Sequence, residues 1–224
     1  MHYQRNKKIL LYIFLFLLIG TLNNKNFNKI NFLKIEKISV IGLGDQNKND
    51  LINNLNFLEF NNLFFVNKSK ITEIINSNSI VEKYSVFKKY PSSLIIKIIE
   101  TKFLAQIKKE NKNFFLGSNG KLTSNIELKS NLPFIFGNFE NKSFFDLKKA
   151  IDETNFDYNE IKNLFFFKSG RWDIETKNGL LVKLPKDNLK NSLNLFIQIL
   201  NNDDNNRILL VDLRQENQII INER

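Results

Sequence analysis

Between Leu94 and Ile98 apolar residues recur at every second position, Leu94, Ile96 and Ile98, while Ile95, Lys97 and Ile99 make up the other side. That period of two is the mark of a strand with one face on a core. The run Val81 to Lys89 reads as a second strand, and Tyr90-Pro91-Ser92-Ser93 joins the two through a proline that presets φ for a turn. Upstream, Ile35 to Ile41 predicts a short strand ended by Gly42 and Gly44. Leu51, Ile52, Leu55 and Leu58 then fall at helical spacing, and after Asn61-Asn62 a second helix shows Ile71, Ile74 and Ile75 behind an Asn67 cap. The result is a β-α-α-β-β unit of roughly 65 residues, small enough to fold as one layer of helices on one sheet.

From Phe103 onward strands dominate, at Phe103 to Ile107, Phe114 to Leu116 and Pro133 to Phe136. Ser143 and Asp146 have capping-box spacing and predict a helix over Phe144 to Thr154, while Asp187 is expected to cap a helix carrying Leu189, Leu193, Phe196, Ile197 and Leu200. Register in the hairpin Arg171 to Leu184 follows from side-chain chemistry. A two-residue Asn178-Gly179 loop pairs Ile174 with Lys183 and mixes a core face with a charged one. A three-residue loop, Lys177-Asn178-Gly179 with Gly179 left-handed, pairs Thr176 with Leu180, Ile174 with Val182 and Trp172 with Leu184, so the large apolar groups share a face. Strands at Ile208 to Asp212 and Ile219 to Ile221 close the chain, broken by Arg214 to Asn217. The expected fold class is α+β, the second part a mainly antiparallel β domain with flanking helices.

One stretch differs from all of these. Ile9, Leu10, Leu11, Tyr12, Ile13, Phe14, Leu15, Phe16, Leu17, Leu18, Ile19, Gly20, Thr21 and Leu22 form an uninterrupted apolar run behind Arg5, Lys7 and Lys8. It is read as a transmembrane signal anchor. Its core is shorter than the roughly 20 residues of a usual spanning helix, which keeps a signal-peptide core as the rival. Ile19 to Asn24 offers no small-x-small pair for cleavage. Charge leaves orientation open, since Lys25, Lys29 and Lys34 follow the run. The expected organisation is a tail 1–8, the anchor 9–22, a juxtamembrane linker 23–31 and domains at 32–102 and 103–224.

Composition narrows function mostly by exclusion. The chain has 224 residues, no Cys, a formal charge of +10 and 22 Phe. Without Cys there are no disulfides, thiolate metal sites or cysteine nucleophiles. The one histidine is His2, so the folded part has none for a triad or an imidazole metal site. Asp203-Asp204 lies in an Asn-rich stretch and reads as a solvated turn, and Gly42-Leu43-Gly44 lacks the third glycine of a dinucleotide site. Trp172 reads as core, and the short pairs Lys88-Lys89 and Lys148-Lys149 lack the interleaved aromatics of a nucleic-acid surface. No enzyme activity, cofactor or nucleic-acid partner is expected. The Gln218-Ile219-Ile220-Ile221-Asn222 segment reads equally as an ordinary closing strand and as an edge strand able to receive a partner.

Ile38-Ser39-Val40-Ile41-Gly42, Asn62 to Asn67 and Val81 to Glu100 resemble the POTRA domain of the bacterial cell-division family FtsQ, called DivIB in some lineages. Leu132-Pro133 with Gly137, Arg171-Trp172-Asp173, Asn178-Gly179, Leu184-Pro185 and Val211-Asp212-Leu213-Arg214 are similar to that family's β domain, in the same order. The chain departs in having Tyr90 where Trp often precedes the proline, and Gln215 where an aromatic often follows the Asp-Leu-Arg motif. The resemblance implies a single-pass inner-membrane protein, N-terminus cytoplasmic and body periplasmic, at the division septum. It also implies recruitment of FtsB, itself paired with FtsL, by strand addition, with Arg214, Gln215, Gln218, Ile219, Ile220 and Ile221 at the partner. The competing readings are a POTRA-containing component of polypeptide transport or envelope biogenesis, and an anchored cell-wall hydrolase.

Overall fold

The structure is a computed structural model that describes residues 2–22, 33–124, 131–202, 208–215 and 218–223. The linker 23–31 and Asp203-Asp204 lie outside the described residues. Contacts divide the chain into two units, one of residues 1–78 and 83–99, the other of residues 79–82 and 100–224. The first begins with helix α1 (His2–Leu22), whose apolar side chains from Ile9 to Ile19 are exposed. Among the described residues no helix is long and apolar enough to cross a membrane.

After α1 come β1 (Lys37–Ile41), α2 (Asp45–Leu55), α3 (Lys68–Ser77), β2 (Val81–Lys89) and β3 (Ser93–Glu100). This is the expected β-α-α-β-β order. The strands lie side by side as β1-β3-β2, with β1 parallel to β3 and Ile38 opposite Leu94, Val40 opposite Ile96. The alternation read in β3 is real: Leu94, Ile96 and Ile98 are buried, Lys97 and Ile99 exposed. Leu51 and Leu55 of α2 and Ile71 and Ile75 of α3 are buried too, at helical spacing. Leu58 reaches the same core from a 3₁₀ turn, Asn56–Leu58, rather than from α2 itself. Asn67 caps α3, its Oδ1 accepting from Ser69 N at 3.0 Å and Lys70 N at 3.4 Å.

In the second unit follow β4 (Phe103–Lys109), β5 (Lys112–Gly117), β6 (Leu122–Thr123), β7 (Phe134–Phe136), α4 (Asn141–Asp152), β8 (Ile161–Phe166), β9 (Trp172–Thr176), β10 (Leu181–Lys183), α5 (Leu189–Asn202), β11 (Ile208–Gln215) and β12 (Gln218–Glu223). Among the described residues nine strands make one sheet in the order β12-β11-β10-β9-β8-β7-β4-β5-β6. Its core lies on the face that α4 and α5 cover, where Phe144, Leu147, Leu193 and Phe196 meet Ile135, Leu164, Trp172, Ile174, Val182 and Val211. The unit also takes in Ser79–Glu82, because Asn119 donates to the carbonyls of Ser79 and Val81 and the Ser118 hydroxyl donates to Glu82 at 2.8 Å.

Two expected caps are corrected. α4 starts at Asn141, ahead of the predicted Phe144, and Glu140 precedes it without a side-chain cap. Ser143 sits inside the first turn, and its hydroxyl accepts instead from the indole N–H of the buried Trp172 at 3.1 Å, satisfying a donor that would otherwise be stranded in the core. At α5 the residue before the helix is Asn188, left-handed at φ 60°, whose carbonyl accepts from Ser192 N at 3.1 Å, so Asp187 stands one position too early. The hairpin has the three-residue register: Val182 opposes Ile174, Thr176 N donates to the Leu180 carbonyl, Leu184 N donates to Trp172, and Gly179 has φ 86°.

Gly42 and Gly137 close two parallel strands in the same way. Each follows its strand at positive φ, 97° and 103°, and a Cβ there would lie 2.0 Å from the Ile98 carbonyl oxygen or 2.2 Å from that of Phe166. Gly42→Ala is therefore expected to lower the stability of the first unit by more than about 1 kcal/mol. Gly44→Ala, with nothing within 4 Å of its Cβ, is expected to cost less. Urea titrations of the full chain by circular dichroism check both.

Candidate partner-binding edge

β12 stands last in the strand order and among the described residues pairs only with β11. Its far side carries backbone donors and acceptors without a neighbouring strand. Ile219, Ile220 and Ile221 are all exposed, at 41%, 45% and 38%. Val211 faces Ile221 and Asp212 faces Ile220, and the register then shifts so that Gln215 faces Gln218. The extra residue on β11 falls at Leu213-Arg214, a bulge of the kind that re-aims side chains. The break expected from Arg214 is this bulge, since β11 runs on to Gln215.

Period-two alternation divides the neighbourhood between two faces. On the helix-covered face an open groove of about 680 Å³ is lined by Ser192 and Leu195 of α5 with Leu213, Gln215, Gln218 and Ile219. On the other face a depression of about 380 Å³ gathers Arg171, Lys186, Arg214, Gln218 and Ile220. The edge strand thus sends Ile219 into one hollow and Ile220 into the other. The predicted residues Arg214, Gln215, Gln218, Ile219 and Ile220 all line one or both, while Ile221 sits further along the strand opposite Val211.

The second face carries charge in register. Asp173 faces Lys183, Lys183 faces Asp212, and Asp212 faces Ile220. Arg214, in the bulge, turns onto Asp212 and grips it through Nε at 2.8 and 2.9 Å from the two carboxylate oxygens and through Nη2. This hydrogen-bonded guanidinium holds the Asp212 carboxyl below the usual aspartate range against the opposing effect of burial, and in return raises the Arg214 pKa. Asp173 is different. Burial pushes its pKa up despite the nearby Arg171, Lys183 and Arg214. Arg171 Nε stands 3.9 Å away, and neither that nitrogen nor Asp173 Oδ1 has a hydrogen-bond partner among the described residues.

Arg171, Lys183 and Lys186 were not singled out as site residues, although the hairpin register contains the signal. Once Ile174 opposes Val182, Asp173 must oppose Lys183 on the reverse face. Among the described residues no three His, Cys, Asp or Glu lie close enough to hold a metal ion.

Residues 105–214 match the family model for cell division protein FtsQ/DivIB, C-terminal, and residues 33–101 match the FtsQ-type POTRA domain. The chain belongs to the FtsQ/DivIB family. It is 24% identical over 192 residues to the cell division protein FtsQ of Rickettsia bellii strain RML369-C, covering 84% of this chain and 72% of that one. To FtsQ of Rickettsia prowazekii strain Madrid E it is 25% identical over 199 residues, 86% of this chain and 73% of that one. The solved major extracytoplasmic domain of DivIB from Geobacillus stearothermophilus aligns with 45% of this chain and 92% of that one, at 14% identity and a TM-score of 0.35. FtsQ/DivIB is a family of cell-division proteins rather than of enzymes. The matched FtsQ/DivIB span ends at Arg214, so β12 lies beyond it.

Removing Arg214 leaves the nearly buried Asp212 carboxylate without its main partner. Arg214→Ala is expected to cost about 1–3 kcal/mol at pH 7. Because the folded Asp212 pKa is lowered, the pair's contribution is present above the unfolded aspartate pKa of about 3.9 and is lost as pH falls through the folded value. The gap between variant and parent is therefore expected to close in acid. Urea titrations followed by Trp172 fluorescence at several pH values measure it.

Proposed function

We propose that this chain is a non-enzymatic assembly protein of the division machinery, holding partner proteins at the septum from the periplasmic side of the inner membrane. Residues 9–22 are its transmembrane anchor, with the tail 1–8 cytoplasmic, and the domains 32–102 and 103–224 are periplasmic. α1 has 21 residues, of which the apolar run 9–22 makes about 21 Å at 1.5 Å per residue, so a hydrocarbon layer of roughly 30 Å would have to thin around it. The partners are FtsB and FtsL, with FtsB adding a strand to β12.

The observation that carries this reading is the unpaired outer side of β12 between two hollows. In strand addition, main-chain hydrogen bonds supply affinity and alternate side-chain pockets supply selectivity. Ile219 and Ile220 line opposite hollows here, so an added strand finds one on each side of it. Arg171, Lys186 and Arg214 favour acidic side chains on the entering strand. Arg214 spends Nε and Nη2 on Asp212, while its Nη1 makes no hydrogen bond among the described residues. Confinement to one bilayer raises the effective concentration of the partners, so a modest intrinsic affinity suffices.

Successive residues of an antiparallel strand direct their N–H groups alternately toward β11 and toward the open side. Of Ile219→Pro and Ile220→Pro, one therefore strikes the β11 pairing and the other the free edge. The expected outcome is that one variant keeps parental circular dichroism and Trp172 fluorescence yet captures FtsB at least about tenfold more weakly, the loss of one to two hydrogen bonds. Capture of FtsB at parental strength by both folded variants sinks the edge assignment. A fluorescent fusion at the N-terminus is expected to form a band at midcell, and a uniform envelope signal speaks against the division role.

A further inference from the structure

The first unit carries an aromatic patch that neither its core nor the β12 edge uses. Phe60, Phe64, Phe65 and Tyr90 are 70%, 60%, 83% and 53% exposed. Phe64 is 6.1 Å from Phe65 and 6.0 Å from Tyr90, ring centre to ring centre. The segment that bears three of them is held rigidly. Phe60 N donates to the Ile35 carbonyl, Ile35 N donates to Asn61, and Leu63 N donates to Leu33 at 2.6 Å, while the Lys88 ammonium donates to the Phe64 carbonyl at 2.9 Å. Phe60 has φ 66°, where a bulky side chain is an outlier. A structure that holds a phenylalanine in a strained backbone, with its ring in water, is spending stability on display.

The location is informative. The strand-like segment stitched to this loop, Leu33–Ile35, is where the chain arrives from residues 23–32 and α1. Ten residues span at most about 35 Å, so whatever surface α1 enters, the patch stays within reach of it. Charge points the same way. Lys34 bridges to Asn62 in the loop, Lys68 opens the helix that follows it, and Lys89 precedes Tyr90 on the facing turn. Glu59 is the carboxylate beside Phe60. Aromatic rings set among lysines match the interface of an anionic bilayer, where rings settle at headgroup level and each nearby cation adds attraction.

We propose that the Phe60–Phe65 loop and Tyr90 form a second membrane contact, seated in the headgroup region of anionic lipids. This rests on the reading of residues 9–22 as an anchor. The contact fixes the orientation of the first unit against the bilayer. It takes lipid rather than protein because the patch combines exposed rings and a basic rim with proximity to the anchored end.

The absence of cysteine allows one label at a chosen place. The full chain carrying Phe65→Cys, labelled with an environment-sensitive fluorophore, is reconstituted in vesicles of phosphatidylcholine with a minority of phosphatidylglycerol and a headgroup spin-labelled lipid. A second sample carries the label at Lys112→Cys, at the start of β5. The expected result is flotation of both, with quenching at position 65 several-fold above that at 112. That excess is expected to fall in vesicles without phosphatidylglycerol and in the Lys68→Glu/Lys89→Glu background. Flotation with a solvated, unquenched label at 65 overturns the contact and leaves the anchor standing. A blue-shifted but unquenched label also overturns it, and assigns the patch to a protein surface such as a second copy. Failure of the chain to float after an alkaline wash removes the anchor reading itself, and the proposal with it.

Discussion

The three-residue turn at Lys177-Asn178-Gly179 sets the register on which the second unit depends. The Thr176 hydroxyl donates to the Leu180 carbonyl and accepts from Leu180 N, each at 3.1 Å, locking the turn from inside. With that turn, Trp172, Ile174, Val182 and Leu184 share the face that α4 and α5 cover. A slip of one residue would move the whole set into water and bring Asp173 and Lys183 into the core. The indole N–H finds Ser143 in α4, so the hairpin and the helix layer specify each other.

The same alternation builds the reverse face. Because Ile174 lies on the core face, Asp173 lies on the reverse face, itself buried there, and the pairing carries this across β10 and β11 to Asp212 and Ile220 at the open edge. The carboxylates along that row have opposite fates. Asp212 has a guanidinium forked onto it and stays readily ionised, whereas Asp173 is buried beside a cation that it does not hydrogen-bond. One is a settled pair, and the other holds a donor and an acceptor still waiting for partners.

Much of this was legible beforehand where local chemistry and the tertiary fold agree. The β-α-α-β-β unit follows from clean periods of two and 3.6, and the hairpin register from keeping charge out of a core. β8 escaped because its register shifts between Ile161 and Asn163, which breaks the alternation that announces a strand. The start of α4 was misplaced because Ser143 serves Trp172, a demand made 29 residues away. The apolar run 9–22 stands out by composition, yet among the described residues no helix is long and apolar enough to cross a membrane. The aromatic loop has no periodicity, and only its pairing with Leu33–Ile35 shows that its rings are held outward.

β12 has a consequence beyond recognition. Edge strands of soluble proteins usually carry a lysine, a proline or an inward charge that discourages pairing, and the three isoleucines of β12 carry none of these. An apolar strand with a bare side is a template for any other extended chain, including the β12 of another copy. On the proposed role, a cell that made this protein in excess over its partner would accumulate chains with a bare, self-adhesive edge. Synthesis of the chain would then have to be matched to the supply of the strand that covers this edge.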